Sequence, residues 1–140
     1  MSISFNPQQG SILICDFRGY ELPEMTKRRP VVVLSPRLRN RSRLCTVVPI
    51  STTDPRTVEA YHYQLELQPP LPAPYSSQWC WVKADMVYTV GFDRLSLAYC
   101  GKDERGVRIY DQRVISPDDL RNIQQSMLHG IGLGRLTEHL

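Results

Sequence analysis

The sequence predicts a mainly β domain that ends in a single helix. Three observations carry this prediction: short apolar segments separated by turn residues, a run of prolines between two of them, and one late segment with helical periodicity. Short strands joined by turns are typical of a small barrel or rolled sheet. The 140 residues, 41% of them hydrophobic and 22% charged, suit one globular domain spanning residues 1–140.

The first half of the chain contains three predicted strands. Residues 11–17 form an apolar run after Gly10, and residues 30–35 and 44–50 are β-branched and apolar. The segment between the last two is basic and holds Arg37, Arg39, Arg41 and Arg43. If that segment is extended, its four arginines share one face, because strand side chains alternate.

The second half adds further strands. Residues 61–67 alternate like a half-buried strand, and a stiff loop with four prolines follows at 69–74. Residues 79–90 resume as strand, with Trp81 assigned to the core. A hairpin with a charged tip at 101–106 comes next, within a segment, residues 96–115, that is longer than expected.

The last element has the signals of an amphipathic helix over about 117–129, following a barrel core at about 9–115. Ser116 is a good N-cap, and Pro117 fits the first helical position. An apolar stripe recurs at near-helical spacing and predicts packing on the sheet. Its members are Leu120, Ile123, Met127 and Ile131, and three glycines then end the helix.

Charge is distributed unevenly. Residues 1–50 hold eight Lys or Arg and three acids, and residues 27–43 hold seven basic residues and no acid. Arginine outnumbers lysine 14 to 3, and its fork binds phosphates in two-pronged geometry. This block predicts a phosphate-binding surface, although a solvated basic face is the alternative.

Several classes of protein are excluded by simple features. No apolar run is long enough to span a bilayer, and the first ten residues lack the features of a signal peptide, so we expect a cytoplasmic protein with no membrane partner. The four cysteines have no paired spacing and are interpreted as small core residues in a reducing compartment. The three histidines are scattered, so we expect no metal site and no cofactor.

Four segments together carry a family resemblance. They are Gly10 followed by Asp16-Phe17, the block EMTKRRPVVVLS at 24–35, the block VPISTT at 48–53, and Lys83-Ala84-Asp85. This pattern resembles the MazF/PemK (Kid) family of toxin–antitoxin ribonucleases. The resemblance implies a small SH3-like β-barrel of the MazF/PemK/CcdB type that forms a homodimer. It also implies metal-independent cleavage of single-stranded RNA, and inhibition by a cognate antitoxin.

The resemblance also implies roles for individual residues. The family's essential arginine matches Arg29, its essential threonine is replaced by Ser51, and its acidic residue matches Glu24. A basic-x-Asp triplet that serves as acid or base in some members matches Lys83 and Asp85.

The chemistry of these residue types agrees with that assignment. Arg29 can stabilise a phosphoryl transition state, Ser51 or Thr52 can donate a hydroxyl, and either Glu24 or Asp85 can be the general base. Cleavage of this kind leaves a 2′,3′-cyclic phosphate and a 5′-hydroxyl. The predicted RNA-binding residues are Lys27, Arg28, Thr52, Lys83, Arg37, Arg39, Arg41, Arg43 and Tyr20, the preferred base-stacking residue. Tyr75, Trp79 and Trp81 could also stack bases, although a core position is favoured for Trp81.

Other interpretations stay open. The same barrel occurs in CcdB-like toxins that poison DNA gyrase without cutting RNA, and an inactive relative could bind only RNA or an antitoxin. Arg29 could form a structural ion pair with Glu24 or Asp16. The hydroxyls of Ser51 and Thr52 could cap turns.

Overall fold

The computed structural model describes residues 1–140, and antiparallel strands account for most of its regular structure. One α-helix, α1, spans Pro117–Gly130, and short 3₁₀ turns lie at Phe92–Arg94 and Gly134–His139. The nine strands are β1 (Ile12–Asp16), β2 (Arg28–Val33), β3 (Leu44–Ser51), β4 (His62–Glu66), β5 (Trp79–Lys83), β6 (Tyr88–Gly91), β7 (Leu95–Ser96), β8 (Ala98–Lys102) and β9 (Arg108–Asp111).

Strand β3 organises the main sheet. It pairs with β2 along one edge, while its other edge pairs with β6 near its start and with β5 at its end. The strand order is β4-β5-β3-β2-β1-β7, and β6 branches from β3. The predicted class, mainly antiparallel β with a C-terminal helix, is confirmed. The end strands β4 and β7 of this order do not pair with each other.

The central strands are buried on both faces. Val31 and Val33 of β2 pack into one apolar cluster, whereas Val32 between them packs into a second cluster on the opposite face. Val47 and Val48 of β3 divide between the two clusters in the same way. Alternation of side chains along a strand therefore gives the protein two cores separated by one sheet.

Helix α1 covers the second cluster. The Ser116 hydroxyl accepts a hydrogen bond from the Asp119 amide at 3.0 Å, as expected of an N-cap. Ile123 is fully buried, and Leu120 and Met127 pack beside it. Ile131 is 55% exposed, so its inclusion in the apolar stripe is wrong; it lies just beyond the last helical residue.

The predicted strand over 79–90 is interrupted, and this corrects the sequence prediction. Both β5 and β6 run antiparallel to β3 along the same edge. Between Val82 and Tyr88 the chain advances six residues, while their partners Ile50 and Val47 are only three apart. The three extra residues are accommodated in a turn at Ala84–Asp85 and in the two residues after it, so Asp85 does not pair with β3.

The expectation of one arginine face over residues 37–43 is also wrong. The segment is a loop with a turn at Arg39–Asn40, and Arg43 adopts a left-handed backbone with φ 54°. Arg43 pairs with Asp93 at 2.9 Å, and the Arg37 Nε donates to the Asn6 carbonyl at 3.0 Å. Because the segment is not extended, its side chains diverge instead of sharing a face.

The predicted hairpin is formed by β8 and β9, and a largely buried ion pair fixes its base. Arg113 Nη2 lies 2.6 Å from Asp111 Oδ2, and both side chains are less than one-fifth exposed. Arg113 also donates to the carbonyls of Pro69 and Pro70. The longer segment therefore docks on the proline-rich loop through one guanidinium.

The cysteines are free thiols, and Cys15, Cys45 and Cys80 are buried. Burial raises the pKa of Cys15 to about 12 and that of Cys45 to about 11. These two side chains therefore stay protonated near neutral pH and pack as small hydrophobes.

Neither the helix nor the 3₁₀ turns are long and apolar enough to cross a bilayer.

Substitution Asp111→Asn is expected to lower the free energy of unfolding by about 1–3 kcal/mol at pH 7. The hydrogen bond from Arg113 lowers the pKa of Asp111 below its usual value. The stabilisation is therefore present above about pH 4 and is lost as pH falls through the lowered pKa. Urea unfolding at pH 7 and pH 3 should show the difference between wild type and variant shrinking in acid.

The matched control is Asp93→Asn, whose exposed partner is Arg43. This change should alter stability by less than about 0.5 kcal/mol. Equal effects of the two variants on stability at pH 7 would contradict the stabilising role of the Asp111–Arg113 ion pair.

Candidate functional site

Arg29 and Ser51 lie on the two central strands, near the same end of the sheet. The β2–β3 ladder runs from Val33 opposite Val47 to Val31 opposite Pro49. The same register, continued by two residues on each strand, sets Arg29 opposite Ser51. Arg29 lies two residues before Val31, and Ser51 lies four residues after Val47; both valines belong to the first apolar cluster. Because side chains alternate along a strand, the side chains of Arg29 and Ser51 lie on the same face as these valines.

The Arg29 side chain has an unusual environment. Its Nε is buried and has no hydrogen-bond partner in the protein, although the residue as a whole is only partly buried. Neither Glu24 nor Asp16 forms an ion pair with it, since Asp16 is held by Arg18 at 2.6 Å. Hydrogen bonds from Arg18 lower the pKa of Asp16 to about 2. The structural ion pair that offered an alternative role for Arg29 is thus absent.

Ser51 is 2% exposed and serves in a turn. Its Oγ accepts a hydrogen bond from the Thr53 amide at 3.1 Å. A hydroxyl that accepts one bond still has a proton to donate. Thr52, the other hydroxyl predicted for the site, is exposed just beyond the end of β3. Ser51 therefore combines turn capping with a donor on the Arg29 face.

The two predicted carboxylates lie on different elements. Glu24 lies in the β1–β2 loop, where its Oε1 accepts from the Glu21 amide at 3.0 Å. The neighbouring Met25 is buried in the first cluster, and its amide donates to the Tyr88 hydroxyl at 3.0 Å. This anchor fixes the end of the loop next to Glu24 against the first cluster.

Asp85 lies in the turn after β5 and is exposed. The C-terminal end of α1 approaches it closely: a Cβ added to Gly130 would lie 2.8 Å from the Asp85 Cα. Lys83, two residues earlier, is half-buried and lies opposite His62 in the ladder of β4 and β5. The end of α1 therefore packs against the turn that carries Asp85.

The basic residues predicted to bind RNA fall into two groups. Lys27 and Arg28 are exposed directly before Arg29, and Arg28 Nη2 lies 3.3 Å from the Ser96 hydroxyl. The loop with Arg37, Arg39, Arg41 and Arg43 joins the opposite ends of β2 and β3. Five strand residues, about 16 Å, separate Arg29 from Leu34, where that loop begins. The structure does not bring the second group to the site.

The structure places Tyr20 among other aromatic rings and Trp81 outside the core. Tyr20 packs edge-on against Phe17 and Tyr88, and the Arg94 guanidinium lies 4.9 Å from its ring centroid. Trp81 is partly buried but belongs to neither apolar cluster, so its assignment to the core is wrong. Trp79 is 51% exposed on the same face of β5.

The sequence did contain a signal for this arrangement. Cys80, Val82 and Ala84 alternate with the tryptophans and are all buried in the second cluster. Those small apolar residues mark the inner face of β5, which leaves the tryptophans on the outer one. No group of three or more His, Cys, Asp or Glu side chains is gathered closely enough to hold a metal ion.

Comparison with known proteins gives one family match and several structural likenesses. Residues 8–127 match a family described as PemK-like, MazF-like toxin of type II toxin-antitoxin system. The uncharacterized protein YifN of Escherichia coli (strain K12) is 29% identical over 155 aligned positions, covering 94% of this chain and 95% of that protein.

The similar solved structures share the fold at low sequence identity. An endoribonuclease in complex with its cognate antitoxin, from a mycobacterial species, has a TM-score of 0.59 at 22% identity, covering 91% of this chain and 96% of that one. MazF from Deinococcus radiodurans has a TM-score of 0.59 at 20% identity, covering 92% and 99%. The Mycobacterium tuberculosis toxin MazF-mt6 has a TM-score of 0.56 at 19% identity, covering 87% and 96%.

Substitution Gly130→Ala is expected to lower the free energy of unfolding by about 1–3 kcal/mol, because the new Cβ meets the Asp85 backbone and one of the two elements must shift. Chemical denaturation measures the loss. The control Arg121→Ala, on the exposed side of α1, should change stability by less than about 0.5 kcal/mol. A Gly130→Ala protein as stable as wild type would show that α1 does not press on the turn.

Proposed function

The chain belongs to the PemK-like, MazF-like toxin family of type II toxin–antitoxin systems, and we propose that it acts as a metal-independent, sequence-selective endoribonuclease. The substrate would be single-stranded RNA, with mRNA cleavage inhibiting translation and growth. Structural neighbours named as endoribonucleases support this activity. The remaining support comes from the donors and carboxylates around β2 and β3.

One observation carries the proposal: the unpartnered, buried Nε of Arg29 on the face of Ser51. A buried donor without a partner costs roughly 1–3 kcal/mol, so folded proteins rarely keep one without a use for it. A phosphate oxygen is the acceptor best matched to a guanidinium, which can offer two parallel N–H groups. Arg29 would therefore bind the scissile phosphate and complete its own hydrogen bonding at the same time.

The proposed reaction is an attack by the 2′-oxygen on the adjacent phosphorus. A carboxylate takes the 2′-hydroxyl proton, the new P–O bond closes a 2′,3′-cyclic phosphate, and the bond to the 5′-oxygen breaks. An acid returns a proton to that oxygen, which leaves as a 5′-hydroxyl. Glu24 and Asp85 are the candidate carboxylates, and both are exposed.

Arg29 and Ser51 would act on the charge that develops at phosphorus. Their strands are buried on both faces and fix the backbone positions of the two donors. Donors fixed before the reaction stabilise a transition state without reorganising during it. Lys27, Arg28 and Lys83 would hold the neighbouring phosphates, and Thr52 would supply a further hydroxyl contact.

We propose a homodimer that is inhibited by a cognate antitoxin. Similar structures are described as complexes of an endoribonuclease with its cognate antitoxin and of MazE with MazF. The arginine loop, including Arg39 and Arg41, lies away from the Arg29 site and offers a basic surface to an acidic antitoxin segment, while inhibition requires the antitoxin also to occupy the RNA groove.

Substitution Arg29→Ala is expected to lower kcat about 100- to 1,000-fold, because it removes the main hydrogen-bond donor to the scissile phosphate. Purified protein is incubated with mixed RNA in EDTA, and the fragment ends are mapped. Wild type should leave 5′-hydroxyl ends, and the control Arg121→Ala should cleave like wild type.

Failure of well-folded wild type to cut RNA would overturn the enzymatic proposal. The alternatives to test would then be gyrase poisoning and simple binding of RNA or an antitoxin. Cleavage that stops in EDTA would instead contradict metal independence.

Substitution Ser51→Ala is expected to lower kcat about 100-fold, whereas Ser51→Thr should stay within about tenfold of wild type because it keeps the hydroxyl. Thr52→Ala should cost less than Ser51→Ala, since Thr52 is exposed at the strand end. Single-turnover cleavage of one RNA measures all three. The reverse order of effects would assign the hydroxyl role to Thr52.

A further inference from the structure

We propose that Trp81, supported by Trp79, is a base-stacking surface for the RNA nucleotides next to the bond that Arg29 and Ser51 hold. This inference rests on the proposed function and names the part of the substrate that the outer face of β5 recognises. The ligand is an unpaired nucleobase in a single strand, since bases within a duplex are already stacked and cannot reach a flat protein surface.

The first argument is the register across the sheet. Ser51 of β3 pairs directly with Trp81 of β5, and Trp81 pairs with Gln64 of β4. Because Arg29 faces Ser51 in the continued β2–β3 register, one row runs across four strands on one face. Neighbouring strands lie about 4.8 Å apart, which puts the Trp81 backbone about 10 Å from that of Arg29. A nucleotide adjoining a phosphate at Arg29 reaches this distance.

The second argument is aromatic surface that lies outside the apolar core. The ribbon of β4 and β5 buries Leu65, Cys80 and Val82 on its inner face, so the core is complete without either tryptophan. On the outer face Trp79 is 51% exposed and Trp81 is partly buried, and neither belongs to an apolar cluster. Two large aromatic residues in alternate positions on a solvated strand expose apolar area that binding would cover.

The third argument is the orientation of the Trp81 ring. Its Nε1 donates to Asp54 Oδ1 at 2.9 Å, and His62 meets it edge-on with the ring centroids 6.3 Å apart. Asp54 lies three residues after Ser51, in the loop that follows β3. The hydrogen bond therefore fixes the indole relative to the end of β3 that carries the donor hydroxyl, as a preorganised stacking surface requires.

The charges on this face orient the bound RNA strand. Lys83 and His62 lie on one side of Trp81, and Glu66 lies on the other, opposite Trp79. Phosphates favour the Lys83 side, whereas the acidic side accepts only the uncharged bases. The face thus separates a backbone track from a base track.

The chain itself supplies the probe, because Trp79 and Trp81 are its only tryptophans. A random-sequence 2′-O-methyl RNA decamer, which cannot be cleaved, is titrated into full-length protein while tryptophan fluorescence is recorded. Saturable quenching by the decamer is expected, with none from inorganic polyphosphate or from duplex RNA. Trp79→Phe should retain the quenching, since it leaves Trp81 as the reporter.

Kinetics on a cleaved RNA give the second readout. Trp81→Ala is expected to raise KM about 5- to 100-fold with kcat little changed, because stacking holds substrate and transition state alike. Trp81→Phe keeps a ring but loses the N–H to Asp54, so recovery of KM in this variant assigns the effect to stacking. Tyr99→Ala, an aromatic residue 47% exposed on the hairpin, is the matched control and should leave KM unchanged.

The outcomes separate the inference from the function on which it rests. A wild type that cleaves RNA, with Trp81→Ala at wild-type KM, overturns the stacking surface and leaves the nuclease intact. Equal quenching by polyphosphate also overturns it. A wild type that fails to cleave overturns the proposed function, while the decamer titration still decides whether Trp81 meets bases. Quenching by antitoxin but not by the decamer would assign the face to protein binding and contradict the inference.

Discussion

The register between β2 and β3 is the constraint on which the rest of the molecule depends. Both strands are buried on two faces, and their valines alternate between two separate apolar clusters. A slip of one residue would exchange the two sets of side chains, so both cores specify the same pairing. Arg29 and Ser51 lie two residues beyond the last pair of that ladder, Val31 and Pro49. Their relative placement is therefore determined by packing and needs no contact between the two side chains.

Sequence patterns revealed the elements whose signals are local. Ser116 and Pro117 mark the start of α1 because N-capping needs only neighbouring residues, and the β-branched run at 31–33 marks a buried strand by composition alone. The motif residues around Arg29 and Ser51 were found through family resemblance. Their opposition across the sheet became visible only with the register, which depends on the burial of distant strands.

The predictions that failed required information beyond local pattern. The break between β5 and β6 arises because both strands share one edge of β3, so three extra residues must leave the ladder. The arginines at 37–43 alternate in sequence, but a turn at Arg39–Asn40 and the left-handed Arg43 disperse them. Trp81 resembled a core residue because tryptophan is large and apolar. The smaller Cys80 and Val82 fill the core in its place, since two helix residues, Ile123 and Met127, already occupy the space beneath the ribbon.

The proposed site is where the structure departs from the rules that the rest of it follows. Elsewhere buried polar groups are satisfied, as in the Asp111–Arg113 pair, whereas Arg29 keeps a buried Nε without a partner. Beside it, β5 presents tryptophans to solvent, although its inner face is packed with apolar residues. One departure is an unmet hydrogen-bond donor and the other is uncovered aromatic surface, and they lie two strands apart on the same face. A nucleotide satisfies both at once, because its phosphate is an acceptor and its base is a flat ring. The two local costs are thus explained together by one class of ligand, which neither would identify alone.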